Sequence, residues 1–503
     1  MGLLCLLTLL LAPGRVGGDG VGYLTQIDGR SLSPGHIAYL PLARLVAAVL
    51  PRGSLLELVL PLRLLSLLCV AGALLLVARC VARDHGPRAA ALAAGALGSC
   101  HAVLRAAHEV EVYGVALLAA TALLVSVVGY RRQPTRARLV AVALLAGAAP
   151  LFHLTLALLS ASAGVVVVLA TPGGRRGRAA LAYGALAATV LLPLLALACA
   201  AAGARDFGAA WAWLRSSDHG LGYPLRLTTP LVALWGLAKS IVYAPYPYQA
   251  PLWRVVLESA PGAVLLLGWI ALALRARREQ AAAGGQQHDD GMHSPALREA
   301  TPTASPLLPA KLLALLATPL ALFGVLFYPS DTERWVFILP AVALSLAPAL
   351  GRGRGAPWLV VVALAFNAMF LSSSALDDAE VARARRVEQQ LRPRDLLISP
   401  GHGYAELVGL GWQRGKPRPA GFALTYWAGA KGRDASIALL HTRVAQTLAR
   451  GGRVFVARLD DRLDRRGFKE LEQLGIDRAR WLDLFRRYRL ARRGELVQLL
   501  GTR

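Results

Sequence analysis

The chain is organised as a series of long apolar runs separated by short polar segments. Four of the clearest runs lie at 63–81, 89–107, 112–130 and 179–202. A helix of about 20 residues spans the hydrocarbon core of a bilayer, so each run predicts a transmembrane helix. After residue 376, short apolar runs alternate instead with amphipathic stretches. We therefore expect a polytopic α-helical membrane module over 1–376 and a separate unit over 377–503.

Arginine-rich segments between the apolar runs predict the topology. They lie at 78–88, 130–138, 173–178, 275–278 and 351–355. Short loops rich in Lys and Arg stay in the cytoplasm, so all five segments are placed there. If successive apolar runs cross the membrane in alternating directions between these segments, the chain makes about eleven crossings. The N-terminus then lies inside and the C-terminus outside.

Four segments need individual interpretation. The stretch 139–170 must cross twice, as two short helices that break near 150–153. The run 2–12 is short and no basic residue precedes it, so a short first span is preferred over a signal peptide. Residues 203–253, with their Trp, Tyr and Pro, are predicted to stay outside. The segment 278–306, rich in Gly, Gln, Ser and Pro, predicts a flexible cytoplasmic loop.

The tail differs in kind from the membrane module. "RDLLISPG" (394–401) and "GRVFVARL" (452–459) are short β-type runs, and "DASIALLHTRVAQTLARGG" between them is an amphipathic helical pattern. Strands that alternate with helices predict a small α/β domain. The predicted topology places this domain outside the cytoplasm.

Composition supports the membrane assignment and argues against two other interpretations, namely nucleic-acid binding and a cysteine framework of disulfides or metal ligands. Of 503 residues, 55% are hydrophobic and 17% are charged, whereas soluble proteins carry about 25% charged residues. The net charge of +25 could suggest nucleic acid, but its arginines lie in short loops, so no nucleic-acid partner is expected. The five cysteines lie in or beside apolar runs without CxxC spacing, which indicates packing rather than disulfides or metal.

Acids and histidines gather at the predicted outer ends of the helices. They are Asp19, Asp28, His36, His108, Glu109, Glu111, His153, Asp206, Asp218, His219, Asp331 and Glu333, with Arg334 beside them. Loop ends are polar in any membrane protein, and this alone explains many of them. His153 is more informative because it interrupts an apolar run, where a polar group is costly and usually lines a cavity.

The order of several motifs resembles a known family. "SPGHIAYLPLARL", "HEVEVYG" and "FHLT", within about residues 15–250, are similar to turns of a bacterial membrane family related to protein O-mannosyltransferases. "SDTERWVFILPAVAL" resembles the Asp/Glu-Arg-Tyr-x-x-Pro turn common in such enzymes. The resemblance implies the GT-C glycosyltransferase superfold, polyprenyl-phosphate sugars as donors and reaction on the outer face.

The resemblance also implies roles for particular residues. Asp19 aligns with the catalytic Asp of the first loop, Glu111 with the Glu of Glu-Val-Tyr, and His153 with the His of Asn-His-Leu-Thr. The family's first loop reads Gly-Asp-Ser-Gly-Glu-Leu, but this chain reads "GDGVGY" and lacks the second acid. Asp28 therefore competes with Asp19 as the working acid.

Transfer from a lipid phosphate needs a carboxylate that takes the acceptor proton. It also needs cations or a metal ion that hold the leaving phosphate. The candidate catalytic residues are Asp19, Asp28 and Glu111. The candidate substrate-binding residues are His36, His108, Glu109, Tyr113, His153, Asp331 and Arg334. Arg334 can hold phosphate as a bidentate fork. The sequence does not decide whether a divalent cation serves as a cofactor.

Three functions remain open on the sequence. The first is an integral membrane glycosyltransferase of a bacterial plasma membrane, acting in lipid on a protein, glycan or lipid acceptor. The second is a transporter or flippase for a lipid-linked or small solute, which should show two related halves; the sequence shows no such repeat. The third is an inactive GT-C-like scaffold, which the missing first-loop acid favours.

Overall fold

The computed structural model describes most of both predicted units. The described residues are 18–28, 32–50, 54–215, 227–243, 260–271, 310–327, 331–371, 386–400, 419–457, 475–493 and 496–502, with a few isolated positions. The predicted first span at 2–12, nearly all of the loop 278–306 and the predicted boundary at residue 376 lie outside them.

The long secondary-structure elements described in the membrane module are helices. In chain order they are α1 Gly18–Asp28, α2 Tyr39–Ala48, α3 Val59–Ser99, α4 His101–His108, α5 Tyr113–Arg132, α6 Arg136–Phe152, α7 Leu156–Ala170, α8 Arg176–Ala201, α9 Phe207–Arg215, α10 Thr229–Ile241, α11 Ala260–Ala271, α12 Ala310–Leu326, α13 Thr332–Arg352 and α14 Ala356–Leu371. Within α13, Val336–Ile338 forms a turn of 3₁₀-helix.

Four segments of the described part are helical, long enough and apolar enough to cross a membrane. They are Val59–Ser99, Tyr113–Arg132, Gly173–Ala201 and Thr332–Arg352. Five shorter apolar helices accompany them, namely Tyr39–Ala48, Leu156–Ala170, Ala260–Ala271, Leu313–Leu326 and Ala356–Met369. The described residues thus make the chain a polytopic helical membrane protein, and the count of about eleven crossings stays a prediction.

Helix α3 contains a sharp kink at Gly86, in the segment predicted to be a cytoplasmic loop. Gly86 has φ 78°, a left-handed conformation that favours glycine, and Pro87 begins the second half of the helix. The second half ends at Ser99, and Cys100 separates it from α4. The run predicted as one span over 89–107 is therefore divided between two helices, because an extended Cys100 interrupts it.

The predicted break in the stretch 139–170 is confirmed. Helix α6 ends at Phe152 and α7 begins at Leu156. Two backbone hydrogen bonds dock the turn Pro34–His36 on this break. The Ala38 N–H donates to the Leu151 carbonyl at 2.8 Å, and the Leu154 N–H donates to the Gly35 carbonyl at 3.1 Å. The first polar loop is therefore fixed beside His153.

Four of the five arginine-rich segments, 78–88, 130–138, 173–178 and 351–355, meet at one end of the helix bundle, here called the basic end. Arg132 at the end of α5 forms an ion pair with Asp84, next to the kink of α3. Tyr130 and Thr171 share a hydrogen bond of 2.7 Å between the ends of α5 and α7. Gly351 at the end of α13 approaches Ala89 so closely that an added Cβ would lie 2.9 Å from the Ala89 Cβ.

The C-terminal domain is built on a five-stranded mixed sheet. Its strands are β1 Leu396–Ser399, β2 Ala420–Ala423, β3 Val454–Ala457, β4 Tyr488–Arg493 and β5 Leu496–Thr502, and its helices are α15 Leu424–Lys431, α16 Arg433–Ala449 and α17 Arg478–Asp483. The strand order is β2-β1-β3-β5-β4. Strands β2, β1 and β3 are parallel, whereas β5 pairs antiparallel with β3 and β4. The predicted α/β character of the tail is confirmed.

The two faces of this sheet enter different cores. Ile398 and Val456 pack with Leu440 of α16 in a core of the C-terminal domain. Leu397 and Phe455, which alternate with them along the strands, join the core of the helical module. One face of the sheet thus packs in the same hydrophobic core as the membrane helices, and the other face packs in a core of the C-terminal domain.

Candidate active site

Helix α4 ends, and α5 and α13 begin, at the end of the bundle opposite the basic end. We call it the acidic end. At Gly114 an added Cβ would lie 3.0 Å from the carbonyl oxygens of Ala106 and Ser66, so only glycine lets α5 approach α4 and α3 this closely. This close approach fixes the linker between α4 and α5, which contains Glu109 and Glu111.

Three carboxylates converge at the acidic end, and we call them the carboxylate cluster. One oxygen from each of Glu109, Glu111 and Glu333 lies within 4.8 Å of the others. Glu111 is the most deeply buried of the three, with 1% of its surface exposed. Carboxylate oxygens are the protein ligands that Mg²⁺, Mn²⁺ and Ca²⁺ prefer, so these residues are the ones that could hold a divalent cation. The sequence analysis noted Glu333 as an outer acid but gave it no role.

Arg105 binds two members of the carboxylate cluster. Its Nε donates to Glu109 Oε1 at 2.7 Å, and its terminal NH2 nitrogen lies 2.9 Å from Glu333 Oε1. Glu109 follows Arg105 by one helical turn, whereas Glu333 belongs to α13. The guanidinium therefore ties the end of α4 to the start of α13.

Three more cations face the same acids. Arg63 of α3 lies within electrostatic range of Glu109. Lys239 of α10 interacts with both Asp331 and Glu333, although it is only 4% exposed. Arg334 interacts with the same two acids. Among the described residues, four acids at the acidic end thus face three arginines and one lysine.

Arg334 and Asp331 lie at the start of α13. Asp331 caps the helix, because its Oδ1 accepts the Glu333 N–H at 3.1 Å. The Arg334 Nε lies 3.6 Å from Asp331 Oδ2, which is too long for a hydrogen bond. In the described part of the chain, this buried Nε has no hydrogen-bond partner. Arg334 therefore keeps donor capacity that Arg105 has already used.

His153 lies inside a group of aromatic rings. Its ring centroid is 5.0 Å from His36, 5.5 Å from Tyr113 and 5.0 Å from Phe337. The Thr155 N–H donates to His153 Nδ1 at 3.3 Å, which assigns the proton of the neutral ring to Nε2. Nε2 is buried and, among the residues described, has no hydrogen-bond partner.

The aromatic group continues to the first helix. Tyr23 of α1 contacts His36 at 5.7 Å and Tyr39 at 5.0 Å between ring centroids. The Tyr39 hydroxyl is in turn within electrostatic range of Glu111. Ring contacts therefore connect α1 with both His153 and the surroundings of the carboxylate cluster.

The side chains of Asp19 and Asp28 lie outside the described part of the structure, but both residues belong to helix α1. Asp19 precedes Tyr23 by one turn of α1, and Asp28 is the last residue of the helix. Nine residues of helix place them about 13 Å apart along the axis. Arg44 of α2 fixes the end of α1, since it donates to the carbonyls of Gln26 and Ile27 at 3.1 and 3.3 Å.

Four of the predicted outer residues remain, namely His108, Asp206, Asp218 and His219. His108 is buried at the end of α4, where its Nδ1 lies 2.8 Å from the Leu104 carbonyl. Asp206 caps α9 by accepting the Ala209 N–H at 2.8 Å. Asp218 and His219 lie outside the described residues.

Sequence reasoning gave no role to Lys239 and Arg105. Lys239 had a visible signal, because it is a lone charge in the apolar stretch "LVALWGLAKSIVY", and such charges are usually functional. Arg105 had no comparable signal. It lies beside "HEVEVYG", but its contact with Glu333 joins two helices that are distant in the chain.

The fold combines a helix bundle, which has a buried ionic network at one end, with an attached α/β domain. The chain has the fold of the GT-C glycosyltransferases. It is similar to ArnT from Cupriavidus metallidurans bound to undecaprenyl phosphate, with a TM-score of 0.61 and 12% identity over 99% of this chain and 96% of that one. ArnT in the apo state gives a TM-score of 0.59, also at 12% identity and with the same coverage.

A third solved structure, which has a longer chain, shares the fold. The archaeal oligosaccharyltransferase AglB from Archaeoglobus fulgidus, in complex with an inhibitory peptide and a dolichol-phosphate, has a TM-score of 0.54 and 12% identity over 100% of this chain and 74% of its own. No family model and no curated protein matches the chain. At this identity the likeness establishes the fold, and the activity must be argued from the site.

Proposed function

We propose that the chain is an integral membrane glycosyltransferase. It moves a sugar from a polyprenyl-phosphate donor to an acceptor hydroxyl on the outer face of the membrane. The observation that carries the proposal is the buried network at the acidic end, where carboxylates, three arginines, a lysine and His153 come together. ArnT and AglB, which share the fold, were solved with undecaprenyl phosphate and dolichol-phosphate, which supports a lipid-phosphate donor.

The proposed general base is Asp19, with Asp28 as the alternative. The base takes the proton of the acceptor hydroxyl while the hydroxyl oxygen attacks the anomeric carbon of the donor. The bond from that carbon to the phosphate oxygen breaks, and the lipid phosphate leaves with the electron pair. The contacts of Tyr23 with His36 and Tyr39 support Asp19, because Tyr23 is one helical turn away from it.

The proposed phosphate-binding residues are Arg334 and His153. The two are within electrostatic range of each other. The buried Arg334 Nε and the His153 Nε2–H have no partner among the described residues, so both offer a donor to the leaving phosphate. Donors held in place before reaction stabilise the charge that builds on that phosphate.

Glu111 is proposed to face the donor sugar. A buried carboxylate stabilises positive charge at the anomeric carbon as the bond to phosphate breaks, as carboxylates do in glycoside hydrolysis. His36, Tyr113, Glu109, Asp331 and His108 are proposed to shape the pocket around donor and acceptor. Their ring contacts, helix cap and ion pair hold the reacting groups in position.

The proposal is tested with the full chain in lipid vesicles. The assay measures release of polyprenyl phosphate from labelled polyprenyl-phosphate sugars, with membrane extract as the source of acceptors. Asp19→Asn should lower transfer about 10²–10⁴-fold, the usual cost of removing a positioned base. Asp28→Asn, the matched control on the same helix, should transfer at the wild-type rate.

Three other outcomes would redirect the proposal. Loss of transfer in Asp28→Asn alone would make Asp28 the base. Wild-type rates in both variants would show that the first loop is not catalytic. Absence of transfer from every donor by the folded wild type would contradict the proposed activity and favour the scaffold.

A further inference from the structure

The position of Arg105 within the carboxylate cluster is unusual for a candidate metal site. Its guanidinium lies between Glu109 and Glu333 and contacts one oxygen of each, at 2.7 and 2.9 Å. Glu111, the third member, is within electrostatic range of the same guanidinium. One cation of the protein itself therefore already touches two of the three carboxylates and faces the third.

A divalent cation would compete with Arg105 for the same carboxylates. Mg²⁺ binds its ligands at about 2.0–2.1 Å and Ca²⁺ at about 2.3–2.6 Å, so an ion held by the oxygens that the guanidinium contacts would have to displace it. Bound at the unused oxygens instead, the ion would lie close to a permanent positive charge in a buried environment, where repulsion between like charges is strong.

The charge balance around the cluster points the same way. Arg63 faces Glu109, while Lys239 and Arg334 face Glu333 and Asp331. With Arg105 included, each of the four acids of the described acidic end has a basic side chain within electrostatic range. A divalent cation would add two positive charges beside these basic side chains, and bringing like charges together in a buried environment is costly.

We propose that Arg105 takes the place of a divalent cation in the carboxylate cluster. The intact chain then binds no divalent cation there, and the fold supplies the organising charge permanently. The inference rests on the proposed function only in taking this cluster as part of the reaction centre. Its test measures ion binding, so a failure of transfer activity and a failure of this inference are separate results.

The test titrates the full chain, in detergent or nanodiscs, with Mn²⁺ and follows free Mn²⁺ by electron paramagnetic resonance. The wild type should show no stoichiometric binding. Arg105→Ala should bind one Mn²⁺ per chain, roughly 10–100-fold more tightly than any weak binding that the wild type shows, because affinity for a hard cation follows the net charge of its ligands. Adding Glu333→Gln to Arg105→Ala should abolish that binding.

Arg63→Ala is the matched control, because it removes the same charge beside Glu109 but leaves the Arg105 bridge in place. Like the wild type, it should show no stoichiometric Mn²⁺ binding. Stoichiometric Mn²⁺ binding by the wild type that Glu333→Gln removes would overturn the inference, and so would equal gains from Arg63→Ala and Arg105→Ala. Arg105→Gln, which keeps a hydrogen-bond donor without the charge, gives the same comparison should Arg105→Ala fail to fold.

Discussion

The two ends of the helix bundle both bury charges, but they do so differently. At the basic end one acid meets one cation, Asp84 with Arg132, and the pair joins the kink of α3 to the end of α5. At the acidic end three carboxylates lie within 4.8 Å of one another among several cations. Bringing like charges together costs free energy, and a contact that only joins two helices does not need this arrangement. This difference fits a structural ion pair at the basic end and the proposed site at the acidic end.

A neutral contact shows that the bundle does not need such a network to hold its helices. Asn367 of α14 is fully buried, and its Nδ2 donates to the carbonyls of Ser99 and Ile241 at 2.6 and 2.8 Å. Its Oδ1 accepts the Tyr243 N–H at 2.8 Å. One amide thus ties three helix ends together. The acids of the acidic end are therefore in excess of what packing there demands.

The largest expected effect is on stability at the basic end. Arg132→Ala leaves the Asp84 carboxylate, whose side chain is only 9% exposed, without its ion-pair partner, so the free energy of unfolding should fall by about 3–5 kcal/mol. The transfer rate per folded molecule should stay near that of the wild type. Thermal unfolding and the transfer assay check the two parts together. Loss of transfer without loss of stability would place the reaction at the basic end and reverse the comparison.

Glu111→Gln should show the opposite pattern. It removes one charge at the proposed reacting carbon while keeping the size of the side chain, so transfer should fall about 10²–10³-fold. The thermal midpoint should stay close to the wild-type value, which separates this variant from Arg132→Ala. A variant that loses stability but keeps its rate would make Glu111 a structural acid.

Arg334→Ala should act mainly on donor binding. A hydrogen bond to a charged group contributes about 1.5–3 kcal/mol, so the dissociation constant for polyprenyl phosphate should rise roughly 10–100-fold. Arg178, which is exposed at the basic end in α8, provides the control. Arg178→Ala should bind polyprenyl phosphate like the wild type. Equal weakening in both variants would mean that only overall charge attracts the lipid.

The smallest expected effect belongs to Arg44, which fixes the end of α1. Losing its bonds to the Gln26 and Ile27 carbonyls removes about 0.5–1.5 kcal/mol for each bond, so turnover should fall about 3–10-fold if α1 carries the base. Donor affinity should not change, and Arg44→Lys should recover part of the rate. A change in donor affinity instead would assign α1 to lipid binding.

The comparison also shows what the sequence could predict. The break beside His153 and two of the five strands of the tail, β1 and β3, follow from local pattern, since a polar group in an apolar run and short β-type runs are visible along the chain. Strands β2, β4 and β5 were not predicted. The acids at 109, 111, 331 and 333 were visible too. The bridge from Arg105 to Glu333 was not, because it depends on how α4 and α13 pack.

The most direct test of the central claim locates the lipid phosphate itself. A polyprenyl phosphate with a photoreactive group next to the phosphate is cross-linked to the wild type in vesicles, and the labelled peptides are identified by mass spectrometry. The proposed site predicts labels in 105–113 and 331–337, competed away by unlabelled polyprenyl phosphate. Labels confined to 79–88 and 131–138 would place the phosphate at the basic end and contradict the account.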